Sequence, residues 1–223
     1  MSIIATLSRL QMRMGKAVNR LFYVSSLWKI VDRSYGSILD IGCGRGSSIV
    51  RHMRTKVNDQ YIVGCDIFPN YVKSSSKSKL YDECVVADAR HLPFIHRSFE
   101  LVFCLEVIEH LEKPEGEELL SSLEELSSKE VVLSTPVGFM YQSQHDNNPY
   151  HTHKSGWFPN DFKKRGYRVI GVIGPFFIRR RGNNSKLDKY IASLAGIGSF
   201  LLQPLFYLFP DLAFQMIGAK ELI

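Results

Sequence analysis

Ser37–Val50, SILDIGCGRGSSIV, is a short apolar run that opens into three glycines spaced by two, Gly42, Gly44 and Gly46. Residues 38–41 read as a β-strand, and Ser47 or Ser48 is placed to cap a following helix. If that strand begins a parallel sheet, its end lies at the carboxyl edge, where open α/β folds bind ligands. Glycine there lets the chain turn sharply and brings its backbone close to whatever is bound. The spacing is G-x-G-x-G, whereas seating a pyrophosphate on a helix N-terminus calls for G-x-G-x-x-G. A ligand other than a dinucleotide is therefore expected.

Outward from this stretch, short β-branched runs at 61–67, 84–87, 101–105 and 131–134 alternate with amphipathic segments. Helices are expected after Ser47, after Pro69 and from Pro114 to Leu126, where Leu119, Leu120, Leu123 and Leu126 share a face. Two more strands are expected at 166–173 and 213–222. The rhythm is that of an α/β, doubly wound sheet. With 223 residues, 45% of them hydrophobic, the chain can bury one good core, and it shows no repeat or low-complexity linker. We expect a single domain: N-terminal cap helices over 1–35, a core over 36–175, an apolar insertion over 176–212 and a last strand over 213–223. Collagen-like and disordered classes are excluded by the same composition. Cys43, Cys65, Cys84 and Cys104 lack the close pairing of a zinc site or a disulfide framework, which points to a reducing, cytoplasmic location. The N-terminus scatters Arg9, Arg13, Lys16 and Arg20 among apolar residues, unlike a secretory signal. A formal net charge of +6 suits anionic partners or simple solubility.

Carboxylates close the next three runs: Asp66 ends YIVGCD, Asp88 ends CVVAD and Glu106 ends LVFCLE. A carboxylate at the end of the second strand is where a doubly wound nucleoside site accepts both ribose hydroxyls. In order and spacing, LDIGCGRG, GCDI, VVADARHLPF and FELVFCLEVIEHL resemble the successive motifs of class I S-adenosylmethionine-dependent methyltransferases, over roughly residues 36–175. The resemblance implies S-adenosyl-L-methionine as cofactor. It implies that Asp40, Gly42, Cys43, Gly44 and Gly46 surround the methionine moiety and that Asp66, with Ile67 beside it, holds the ribose. Asp88 and Ala89 would face the adenine, and Leu105 and Glu106 would sit near the sulfonium. The family's last two strands match GYRVIGVIG and AFQMIGAKEL, implying a Rossmann-like seven-stranded mixed sheet of order 3-2-1-4-5-7-6.

Methyl transfer to a hydroxyl needs a base or a metal near the methyl group. In EVIEHL, Glu106, Glu109 and His110 stand at i, i+3 and i+4, so a helix starting there would put all three on one face. Two carboxylates and an imidazole so placed can hold a divalent metal ion, with His153 as a fourth ligand from HTHKSGWFPNDF. The pairing of these two segments resembles metal-dependent RNA 2′-O-methyltransferases that act on small-RNA 3′ ends. EVIEHL-like segments also resemble those of quinone-precursor O-methyltransferases. The histidines can serve instead as bases: His110 and His153 are the catalytic candidates, with His145 an alternative and His151 nearby. A plainer alternative has Glu106 touching cofactor, Glu109 solvated and His110 bonded to backbone.

Two peripheral segments are expected to choose the acceptor. Ile3, Ile4, Leu7, Leu10 and Met14 form an apolar stripe, followed by a second helix over 17–31. Later, FFIRRRGNNSKLDKY leads into IASLAGIGSFLLQPLFYLF, where nineteen residues pass without a charge. Gly196, Gly198, Gln203 and Pro204 weaken a spanning helix, and a return to the sheet would start and finish the segment on one side of a bilayer. Either a helical lid over the pocket or a peripheral membrane contact through 176–209, at the inner face of the membrane, fits the pattern. Three functions follow as expectations: methyl transfer to a small or amphiphilic acceptor at O or N; metal-dependent RNA 2′-O-methylation; and a non-catalytic binding protein of the same fold.

Overall fold

The computed structural model describes residues 20–21, 23–31, 34–57, 59–142, 144, 146–175 and 202–222. The expected stripe over 3–14, most of the apolar insertion and His145 lie outside the described residues. Seven strands form one sheet of order β3-β2-β1-β4-β5-β7-β6. They are β1 (Ser37–Ile41), β2 (Tyr61–Asp66), β3 (Glu83–Val86), β4 (Phe99–Leu105), β5 (Ser127–Pro136), β6 (Arg168–Pro175) and β7 (Ala213–Glu221). The first five run parallel, and β7 is antiparallel to both β5 and β6. Helices α1 (Ser48–Arg54), α2 (Pro69–Lys77), α3 (Lys113–Leu126) and α4 (Pro159–Lys163) connect them, and residues 23–30 are helical as expected.

Side chains on successive strand residues point to opposite faces, so each strand feeds two cores. Ile38 packs with Leu27, Ile49, Met53 and Phe103 on one face, which the N-terminal helix and α1 cover. Leu39 and Ile41 pack on the other face with Leu120, Leu123, Trp157 and Phe162. The leucine stripe read from the sequence of α3 is the buried one, with Leu119, Leu120 and Leu123 at most 1% exposed. A near-continuous apolar run, as in β4, follows from burial on both faces.

β5 is longer than its apolar segment: its polar first half, Ser127–Glu130, is held to β4 by Ser127 Oγ donating to Glu100 O (3.1 Å) and by pairing of Glu130 with Leu101. At its other end, Pro136 pairs with Gln215, and Pro175 of β6 pairs with Ala213. The chain between β6 and β7 therefore leaves and returns at the carboxyl edge of the parallel strands. Residues 202–208 of that connection are helical, and a 3-10 turn, Pro210–Leu212, leads into β7.

Candidate cofactor and acceptor site

The turn after β1 has three left-handed glycines, Gly42 (φ 71°), Gly44 (φ 56°) and Gly46 (φ 103°). Gly42 sits where a Cβ would run into the Val107 side chain, while the Cβ side of Gly44 faces open space, with nothing within 4 Å. Left-handed backbone costs an L-residue roughly 1–2 kcal/mol, which glycine does not incur. Beneath the turn, Tyr81 donates to Asp40 Oδ2 (2.6 Å) and accepts from Ser47 N (2.9 Å), tying the end of β1 to the start of α1. Asp40 Oδ1 is buried with no hydrogen-bond partner. Burial pushes the Asp40 carboxyl up to about 6, even though the Tyr81 hydroxyl favours the charged form.

Asp66 braces the turn from β2. Its Oδ2 accepts from Gly44 N (3.0 Å) and its Oδ1 from Phe68 N (2.8 Å), while burial raises its pKa. Two backbone bonds fix the carboxylate in place and leave acceptor capacity on each oxygen. After β3, Asp88 forms a forked ion pair with Arg90, which holds its carboxyl below the usual range. Arg90 is bonded in turn to Glu115 Oε1 (3.1 Å) of α3. A strap over 146–151 closes the opposite side: Asp146 accepts from Arg45 (3.1 Å) and from the Tyr71 hydroxyl (3.2 Å), and Tyr71 also meets His151 Nε2 at 3.2 Å.

These parts enclose a pocket of about 930 Å³ including its open mouth. Its lining includes Gly42, Gly44, Asp66, Ile67, Asp88 and Ala89 together with Glu106, Val107, His110, Tyr150, His151 and Lys154. Asp40, Cys43, Gly46 and Leu105 stand behind this lining. Cys43 is 2% exposed, and Gly46 is backed by Leu80, where a Cβ would lie 2.7 Å from Cδ1.

The EVIEHL segment departs from the expected helix. Glu106 has φ 59°, which ends β4 in a sharp bend, and a single 3-10 turn, Ile108–His110, follows. The bend separates the four expected ligands. Glu106 Oε1 accepts from Ser134 Oγ (2.8 Å), whose oxygen lies 2.6 Å from the Tyr23 hydroxyl, and Gln215 is a further partner. Glu109 turns inward instead, 2% exposed, accepting from Thr135 Oγ1 at 3.0 Å. Burial raises the pKa of both carboxyls, and Glu106 raises that of Glu109 further.

Glu109, His110 and His153 do come together, each offering a ligand atom within 4.8 Å of the others, and Glu106 is outside this group. Each imidazole is oriented by backbone: His110 Nδ1 lies 3.2 Å from Thr152 O and His153 Nδ1 lies 2.8 Å from Met140 O. A carbonyl can only accept, so each Nδ1 carries the proton and each Nε2 keeps its lone pair. Burial lowers both imidazoles, His110 to about 4 with help from His153, so both are neutral near pH 7. Neutral imidazoles pinned through Nδ1, beside a carboxylate, are the donor set that divalent ions take.

Sequence reasoning missed Tyr23, Tyr71, Tyr81, Arg90 and Lys154. Their partners are remote in sequence, and no local spacing announces them. Arg90 alone left a trace, two residues after Asp88.

Residues 39–127 match the family model described as a methyltransferase domain. A Homo sapiens protein named arginine-hydroxylase NDUFAF5, mitochondrial, is 30% identical over 99 residues, 39% of this chain and 28% of that protein. The chain thus spans under a third of the length of the curated relatives it matches. Among solved structures, a complex of the Haloferax volcanii Trm112 methyltransferase activator with a methyltransferase matches at a TM-score of 0.61 and 12% identity, covering 96% of this chain and 93% of that one. Magnesium protoporphyrin IX methyltransferase from Synechocystis PCC 6803, with bound S-adenosylmethionine, matches at 0.50 and 18%, covering 73% and 74%. The sheet order is that of the Rossmann-like methyltransferase fold, and residues 39–127 are similar to a methyltransferase domain.

Proposed function

We propose that the chain transfers a methyl group from S-adenosyl-L-methionine to a small or amphiphilic acceptor, at oxygen or nitrogen. One observation carries this reading: the same pocket is lined by Gly44, whose Cβ side is open, and the braced Asp66 as well as by Glu106 and His110. Asp66 accepts the ribose hydroxyls, Asp88 and Ala89 border the base, and Gly44 admits the methionine end. The bound cofactor supplies an already activated methyl group, so alignment of the acceptor does most of the work. Alignment falls to Glu106, held by Ser134 and Gln215, and to the strap residues Tyr150 and His151. At a pKa of about 4, His110 is a weak proton acceptor near pH 7. His153, the other candidate base, likewise keeps its Nε2 lone pair, and burial lowers its imidazole too. Label transfer from methyl-tritiated cofactor to extract fractions of small molecules, lipids and RNA tests the proposal. Label in small molecules or lipids supports it; cofactor binding with no label in any fraction contradicts it and leaves a non-catalytic protein.

The Glu109, His110 and His153 cluster favours a second reading, metal-dependent 2′-O-methylation of RNA. Those three residues would hold the ion, which would lower the pKa of an acceptor hydroxyl. Label confined to RNA and abolished by chelator would establish it. A product that gains an oxygen atom in place of a methyl group would move the chain towards the activity named for its arginine-hydroxylase relatives.

A further inference from the structure

The helix before β7 is turned the wrong way round for a surface helix. Its inner side is seated on β6: Phe206 is 2% exposed, and Gln203 Nε2 donates to Gly171 O at 3.0 Å. A Cβ at Gly171 would meet the Phe206 carbonyl oxygen and lie 2.6 Å from the Ala213 side chain, so the two backbones pass in direct contact. The amide of Gln203 therefore points inward. Outward stand Leu205, Leu208, Phe209 and Leu212, exposed by 42, 72, 55 and 46%. A helix packed on a soluble domain ordinarily hides such residues and shows polar ones. Exposed large apolar side chains clustered in so short a stretch point to an interaction site.

Charge selects the occupant. The connection that carries this face holds Arg179, Arg180, Arg181, Lys186 and Lys189 against Asp188 and Asp211, in a chain of net charge +6. Apolar side chains that share one connection in sequence with a basic run suit an anionic bilayer, where apolar groups enter the acyl boundary and cations meet lipid phosphates. Position agrees with this. The connection joins β6 and β7 at the carboxyl edge of the sheet, and Gln215, three residues past Leu212, bonds the pocket residue Glu106.

We propose that Leu205, Leu208, Phe209 and Leu212 dock the chain on an anionic membrane surface, bringing the pocket's edge of the sheet to the lipid. The lipid-side acceptor this implies rests on the function proposed above; the docking itself does not. Co-sedimentation of the full chain with vesicles of phosphatidylcholine alone, or mixed with phosphatidylglycerol, tests it. Binding is expected only to the anionic vesicles, to weaken with salt, and to fall about tenfold or more in Leu205→Asp/Leu208→Asp. The variant should keep the wild-type melting temperature and its affinity for S-adenosylhomocysteine, which separates loss of docking from loss of the cofactor site. No binding to anionic vesicles, equal binding by the variant, a lowered melting temperature showing that the chain itself covers the face, or a wild-type dimer that the variant abolishes would each overturn the proposal.

Discussion

Within one turn, the glycines at 42 and 44 have different duties. Both are left-handed, but only Gly42 is hemmed in by protein, against Val107. Gly44→Ala should fold with a loss of about 1–2 kcal/mol from its backbone, yet bind S-adenosylhomocysteine at least about tenfold more weakly, because its methyl group enters the ligand's space. Gly42→Ala adds a clash to the same strain and should be markedly less stable; thermal melts and calorimetric titration of both variants check the contrast. Asp40 gives a prediction in pH. Burial raises its folded pKa to about 6 from an ordinary value of 3.8, so between those values the folded chain holds a proton that the unfolded chain releases. Stability relative to Asp40→Asn, which keeps an acceptor for Tyr81, should therefore be highest below about pH 4 and fall as pH rises to about 6, by up to about 3 kcal/mol. Denaturant melts of the two proteins across that range measure the difference. Tyr23→Phe should leave cofactor affinity unchanged and slow turnover, since it removes a hydroxyl that supports Ser134 and thereby Glu106.

Elements show where sequence patterns were legible and where they were not. Each strand of the sheet fell within a few residues of its apolar run, and in the central strands, such as β1 and β4, burial on both faces writes a continuous signal. The leucines of α3 were equally plain. EVIEHL misled, because its i, i+3, i+4 pattern satisfies a helix while the positive φ of Glu106 bends the chain first. What decides that bend is non-local: Glu106 N donates to Ser134 O (2.9 Å) on β5, and Glu109 O accepts from Lys154 N (2.8 Å) and Ser155 N (3.2 Å). Trp157 is another such determinant. Fully buried against Phe162 and Gly116, with the Lys113 ammonium 3.4 Å from its ring centroid, it locks the segment that carries His153 to α3. Trp157→Ala should cost about 3–5 kcal/mol of stability, read from denaturant midpoints. At Gly171, where β6 meets the 202–208 helix through backbone, substitution by Ala should cost about 1–3 kcal/mol by overpacking.

At the scale of the whole molecule, the proposed cofactor side of the pocket is described by the sequence motifs and the proposed acceptor side is not. Asp66, Asp88 and the glycine turn were readable because each closes a strand at the same edge, and strand ends are visible in sequence. The proposed acceptor side draws on the N-terminal helix, the 146–154 strap and the start of β7, which meet only in the folded chain. All four cysteines are free thiols, in keeping with the absence of a disulfide pattern. Among the described residues no helix is long and apolar enough to cross a membrane. On the proposed function, the pocket after β1 and β2 holds S-adenosylmethionine through Asp66. Calorimetric titration of S-adenosylhomocysteine into the wild-type chain and Asp66→Ala tests it most directly. One site per chain, with affinity falling at least about tenfold in the variant for the loss of charge-assisted bonds to the ribose, is the predicted result. No binding by the wild type, or equal binding by the two proteins, would contradict it.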